Sequence, residues 1–339
     1  MCAKPTEGWG DLQEGGQSYH PLRRSLGSSL HLPMMQKWVE YVRRASGDSC
    51  IWNTGHQYGD WLALDAGEGN YTGASRKEFI ATAFYAHSAQ LLAQAMDALD
   101  MDGAAYHRLF ETIRAAHQNA FPDCRTQTEC ALALHFGLAA NPDRVAAQLA
   151  ELVRSNGNRL TTGFVGTPYL LHALSENGYA QTAYDLLLQT KAPSWLFSVK
   201  MGATTVWEHW DSRKADGSFW STDMNSFNHH AYGAVADWLY GAAGGIRPGK
   251  PGYETVLFSP IPNRRLQRFE VVVNTPHGKV CSCWKWNGPT VTCVLTTPVS
   301  AEIRLGGEQH NVAAGTYTFV RGGYDKSPYE AKDFLNVRR

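Results

Sequence analysis

The chain has no excess of either charge: 31 Lys and Arg offset 31 Asp and Glu, and only 18% of its 339 residues are charged. Such a balance leaves no net field to draw in nucleic acid or an anionic membrane surface. No apolar run approaches the ~20 residues needed to cross a bilayer. The opening stretch MCAKPTEGWGDLQEGG lacks the apolar core of a secretory signal, so a cytoplasmic location is the default expectation. The seven cysteines, at 2, 50, 124, 130, 281, 283 and 293, are odd in number and fall in no framework spacing, which favours reduced thiols over disulfides.

Metal-ligand spacing is missing as well. Cys281 and Cys283 sit in an alternating pattern with no second CxxC-type pair, and His229 and His230 have no neighbouring pair of acids at ligand spacing. Neither a metal nor another cofactor is expected. No GxSxG elbow accompanies Ser212 or Ser226, so a serine-nucleophile triad is not supported.

What the chain does have is aromatic. Eleven Trp and 15 Tyr supply flat amphipathic rings of the kind that suit carbohydrate and other neutral ligands. The length fits one large domain plus a small one, and 43% hydrophobic residues can bury a sizeable core.

From 33 to 243 the apolar spacing is helical. Pro33 is read as opening a helix that faces inward through Met35, Trp38, Val39 and Val42. Ser75 with Glu78 and Thr126 with Glu129 read as capping boxes, Gly137 as a stop, and Asn141 with Pro142 as a start. Helices over 179–190 and 224–243 complete about eight, joined by short connections in stacked hairpins. Residues 1–32 look irregular, 244–254 is a Gly/Pro-rich linker, and 326–339 is a tail. Over 255–325 the period changes to two, in the runs Phe269–Asn274, Lys279–Trp286, Thr290–Thr296, Ala301–Leu305 and Thr316–Val320. Asn287 and Gly288 mark a hairpin, and this part is read as a small antiparallel β-sandwich.

The richest segment is GATTVWEHWDSRKADGSFWSTDMNSFNHHAYGAVADWLY, residues 202–240. It sets Glu208 between Trp207 and Trp210, with Asp211, Asp223, His229 and His230 following. A carboxylate among indoles suits sugar cleavage, because pyranose faces stack on rings and a carboxylate must move a proton at the anomeric carbon. The competing reading is a core carboxylate that caps a helix or pairs with a base. YGDW places Asp60 beside Trp61, and GWGD places Trp9 next to Asp11. Three Trp/acid loops can build one pocket at an end of a helical barrel.

Taken in order, YGDW, TQT with ALALHFGL, LTTGFVGTPYLL, PSWL, GATTVWEHWD and MNSFNHHAYGAVADWLY resemble the C-terminal part of α-L-rhamnosidases of glycoside hydrolase family 78. The resemblance covers about residues 33–330. It implies an (α/α)6 barrel, here incomplete, followed by a β-sandwich, and a rhamnose-containing glycoside as substrate. It implies further that Glu208 is the general base of an inverting hydrolysis and that Trp9, Asp60, Trp61 and His229 contact the terminal rhamnose. The family's general acid, in an RDER-type motif, and the acids of a GWTGD-type motif have no match in this sequence. The expectation is therefore a truncated or frame-shifted copy, weakly active or inactive alone unless a companion chain supplies the rest. Two other readings remain open: a non-catalytic sugar-binding or assembly module, and an (α/α)6 hydrolase for another sugar.

Overall fold

The computed structural model describes residues 26–67 and 70–322, with backbone alone for 26–30. It divides into two compact units between Ala173 and Leu174. In the first, helices α1 (Leu26–Ser46), α2 (Lys77–Ala98), α3 (Ala104–Ala120), α4 (Gln127–His135) and α5 (Pro142–Ser155) precede α6 (Thr167–Glu176), which crosses the division.

Helix α2 is buried around most of its circumference and correspondingly central: Phe79, Phe84, Tyr85 and Leu92 are buried, and α1, α3 and α4 pack around it. Helices α3 and α5 bury one stripe each, through Phe110, Ile113 and His117, and through Ala146, Leu149, Ala150 and Val153. Asn141 accepts the Arg144 N–H at 3.0 Å at the start of α5, with Pro142 in the first turn. Replacing Asn141 with Ala is expected to lower stability by about 1 kcal/mol, measured by urea unfolding.

Two local readings are corrected. Helix α1 spans Leu26–Ser46, so Pro33 lies inside it and residues 1–32 are not wholly irregular. The apolar face through Leu32, Met35, Val39 and Val42 is buried, and that packing outweighs the one backbone bond that Pro33 cannot donate. Ser75 is not a cap: α2 starts at Lys77 behind Arg76, and the Ser75 hydroxyl is hydrogen-bonded to that of Thr126 at 2.7 Å. Thr126 does cap α4, accepting the Glu129 N–H at 3.1 Å. The Glu129 carboxylate, however, is buried against Arg76, with Nε to Oε1 at 2.9 Å and Nη2 to Oε2 at 2.7 Å, and also accepts the Arg125 N–H. A tertiary ion pair has replaced the local box.

The second unit holds α7 (Ala180–Leu187), α8 (Trp195–Lys200) and a composite helix whose α-helical turn is α9 (Val235–Trp238). A 3-10 turn, Ala231–Ala234, leads into α9 and a π-turn, Leu239–Ala243, follows it. The helix expected from 224 thus begins at 231, because the backbone of the preceding loop bonds elsewhere, as described below.

The β strands are β1 (Ile246–Pro248), β2 (Val256–Phe258), β3 (Arg268–Thr275), β4 (Gly278–Asn287), β5 (Thr290–Thr297), β6 (Ala301–Leu305), β7 (Glu308–Val312) and β8 (Gly315–Arg321). They form two sheets, ordered β1-β2-β6-β7 and β3-β4-β5-β8, antiparallel except for β2 beside β6. Alternation sends Val280, Trp284, Val291 and Leu295 into a core shared with Phe258 and Ile303. The same alternation puts Cys293 inside and leaves Cys281 and Cys283 on the other face. Residues 244–254 are not a free linker, since β1 lies within them. Trp284 donates its indole N–H to the Ala243 carbonyl at 2.8 Å, tying the sandwich to the end of the composite helix. Among the described residues no helix is long and apolar enough to cross a membrane.

Candidate active site

The YGDW segment of the first unit is fixed by its acid. Asp60 is 0% exposed, and its Oδ2 accepts the Thr128 hydroxyl at 2.5 Å and the Gly163 N–H at 2.8 Å. Its Oδ1 accepts the N–H groups of Val165 at 2.9 Å and Gly166 at 3.3 Å. Burial pushes the Asp60 carboxyl up to about 6, and these four donors pull against that rise.

The two loops meet backbone to backbone. A Cβ on Gly163 would lie 2.1 Å from the Trp61 carbonyl oxygen, so only glycine fits there. Phe164 donates its N–H to that same oxygen at 2.9 Å. Asp60, expected to contact sugar, is thereby enclosed; its geometry is that of a hub holding Trp61. The Trp61 ring is half-buried and stacks on Tyr71 at 5.5 Å and 22°, with Tyr58 edge-on at 5.9 Å. Tyr71 is 41% exposed, so this aromatic pair reaches the surface.

In the second unit, two loops clasp each other around Glu208. Its N–H donates to the Ser226 carbonyl at 2.9 Å, the Ser226 N–H donates back to Glu208 Oε2 at 2.8 Å, and the His229 N–H donates to the Val206 carbonyl at 2.8 Å. These bonds use the backbone groups that an earlier start of the composite helix would have needed. Among the described residues Oε1 of the half-buried Glu208 accepts no hydrogen bond. One oxygen is anchored and the other remains able to take a proton.

His229 is half-buried, and its Nδ1 accepts the Ala231 N–H at 3.3 Å, which places the proton of the neutral ring on Nε2. Burial lowers its pKa, His230 adds to that, and Glu208 opposes it. The imidazole is therefore neutral at pH 7, with its proton on Nε2.

The indoles beside Glu208 are not a solvent-facing wall. Trp207 and Trp210 are 5% and 3% exposed; Trp207 meets Phe227 edge-on at 5.3 Å, and Trp210 stacks on Tyr232 at 3.9 Å. Sequence adjacency suggested a cup of indoles around the carboxylate, whereas successive residues here face different ways. The structure brings Glu208 and His229 together in one pair of loops and holds Asp60 with Trp61 in another. Trp9 lies outside the described residues.

Sequence reasoning missed the Tyr71 partner of Trp61 and the clasping role of Ser226. It also missed His209, whose Nδ1 is hydrogen-bonded to the Asp211 carboxylate and whose ring stacks on Trp220 at 3.9 Å. The HWD spelling carried that last signal.

Comparison with known proteins agrees with this architecture. Residues 29–243 match the bacterial alpha-L-rhamnosidase 6 hairpin glycosidase domain, and residues 245–317 match the bacterial alpha-L-rhamnosidase C-terminal domain. An alpha-L-rhamnosidase of Streptomyces avermitilis is 36% identical over 301 residues, which is 86% of this chain and 28% of the relative. One of Formosa agariphila is 36% identical over 285 residues, 80% of this chain and 31% of the relative. The crystal structure of Streptomyces avermitilis alpha-L-rhamnosidase complexed with L-rhamnose superposes with a TM-score of 0.83 at 30% identity, covering 93% of this chain and 33% of that one. The chain thus spans less than a third of the length of these curated relatives. Its helical hairpins, its trailing sandwich and these matches place the chain in the bacterial alpha-L-rhamnosidase six-hairpin glycosidase family.

Proposed function

We propose that this chain supplies the water-activating half of an inverting α-L-rhamnosidase. The carrying observation is the Glu208 clasp: a half-buried carboxylate with Oε2 held by the Ser226 N–H and Oε1 without a donor among the described residues. Oε1 takes a proton from water as that water's oxygen attacks the anomeric carbon, and the bond to the aglycone oxygen breaks on the opposite face. The Nε2–H of His229 donates to a hydroxyl of the terminal rhamnose. L-rhamnose bound to the Streptomyces relative supports this choice of sugar.

Inversion needs a second carboxyl about 6.5–9.5 Å from the first to protonate the aglycone oxygen. The RDER-type motif that carries the family's general acid does not occur in these 339 residues. We assign that proton to a group outside them, in a longer polypeptide or a companion chain. The 339-residue polypeptide is therefore expected to cleave 4-nitrophenyl α-L-rhamnoside slowly, since nitrophenolate departs with little protonation, and to leave alkyl rhamnosides intact. Fusing the upstream portion of the Streptomyces relative should raise turnover of an alkyl rhamnoside at least about a hundredfold, the scale of one general acid. Equal gains on both substrates would reject the missing-acid reading.

A further inference from the structure

One side chain adds a bond at the far end of the clasp around Glu208. Asn225 donates its Nδ2–H to the Ser212 carbonyl at 2.9 Å. Ser212 closes the turn that carries Glu208 and is fully buried. Its hydroxyl accepts the His209 N–H and donates to the His209 carbonyl, each at 3.1 Å, while its own carbonyl also accepts the Trp220 N–H at 3.1 Å. His209 is held in addition by the Asp211 carboxylate at Nδ1 and by stacking on the Trp220 ring at 3.9 Å. Ser212 is thus a fixed post.

The other bonds between the two loops lie at Ser226 or beyond it: Glu208 with Ser226, Val206 with His229, and the Thr205 hydroxyl with the Phe227 carbonyl. Asn225 holds the side that these leave, one residue before the N–H that binds Glu208 Oε2 at 2.8 Å. The tether adds little to stability. Asn225 Oδ1 is buried and accepts no hydrogen bond among the described residues. An unpaired buried acceptor costs at least as much as one neutral hydrogen bond returns, so the amide contributes little net stability there. A buried polar atom kept at such a cost calls for an explanation other than stability. What Asn225 supplies is position.

We propose that Asn225 is a positioning residue for the hydrolysis. By tying its loop to Ser212 it keeps the Ser226 N–H on Glu208 Oε2 and so leaves Oε1 as the oxygen that takes the proton from water. The proposal rests on the reading of Glu208 as the base. A displaced acceptor slows proton transfer without weakening the hold on the sugar, because rate depends more steeply on the geometry of the reacting groups than binding does.

The test compares Asn225→Ala, Glu208→Gln and the double variant of the 339-residue protein on 4-nitrophenyl α-L-rhamnoside. Asn225→Ala should lower kcat at least about tenfold with KM within about twofold of the parent, and its melting temperature should not fall. Exchange of the Ser226 amide hydrogen, followed by NMR, should become at least about tenfold faster, a change that is read without any turnover. Once Glu208 is Gln, adding Asn225→Ala should change the residual rate less than about twofold, since the tether acts through that carboxylate. Unchanged Ser226 exchange, a parent-like kcat, a lowered melting temperature, or equal losses in both backgrounds would overturn the proposal. Parent-rate hydrolysis by Glu208→Gln would instead remove the base and the tether's role together, whereas a slow Glu208→Gln beside a parent-like Asn225→Ala would reject the tether alone.

Discussion

Glu208→Gln is expected to reduce kcat for rhamnoside hydrolysis by about 10²–10⁴-fold, the range for removal of one general base, with KM nearly unchanged. The variant isolates the proton-accepting step. Glutamine keeps a carbonyl oxygen that can accept the Ser226 N–H now held by Oε2 at 2.8 Å, so the clasp between the two loops persists. Thermal unfolding should therefore match the parent. The chemistry is lost because an amide cannot take a proton from water as it attacks. A fall in stability alongside the rate would point to a structural carboxylate.

Asp60→Asn is expected to lower stability by about 2–3 kcal/mol at pH 7, measured by denaturant unfolding, although nothing exposed has changed. The carboxylate accepts two bonds at each oxygen, three of them from backbone N–H groups. The amide nitrogen fits best on the Oδ2 side, where the Thr128 hydroxyl can turn to accept, but the Gly163 N–H then faces another donor. A buried donor without a partner costs about 1–3 kcal/mol. Trp61 would lose its anchor in the same step.

The pH dependence of that variant follows from two buried groups of opposite sign. Asp60 is raised from 3.8 to about 6 by burial, so between those values the native state holds a proton that the unfolded chain has lost. Its contribution therefore falls as pH rises through that window, by up to about 3 kcal/mol. His117, 2% exposed among Phe79 and Phe121, is lowered by burial from 6.5 to about 4. There the unfolded chain binds the extra proton, and stability rises with pH from 4 to 6.5 by a similar amount. The parent should show little net slope between pH 4 and 6. Asp60→Asn removes the falling part and should show stability climbing with pH across that range. A flat profile in the variant would reject the buried, neutral state of His117.

The sandwich was legible because period two is a strong signal when one face is dry: the runs read around Phe269, Lys279, Thr290, Ala301 and Thr316 are β3, β4, β5, β6 and β8. Strands β1 and β2, three residues each, are too short to carry a period, and β7 is mostly polar. Helix starts were readable where the cap is local, as at Asn141. They failed where a distant partner claimed the residue, as when Thr126 took Ser75. The site followed the same rule. Residue types singled out Glu208, His229, Asp60 and Trp61. That Asp60 faces inward to Thr128 and Gly163 is set by contacts 68 and 103 residues away, which no local spacing encodes.

The sharpest test of Glu208 as the base is the anomer first released from 4-nitrophenyl α-L-rhamnopyranoside, followed by proton NMR with enzyme in excess. β-L-rhamnose should appear first and then mutarotate, and Glu208→Gln should release neither anomer at a comparable rate. The α anomer as first product, or hydrolysis by Glu208→Gln at the parent rate, would show that this carboxylate does not activate the attacking water.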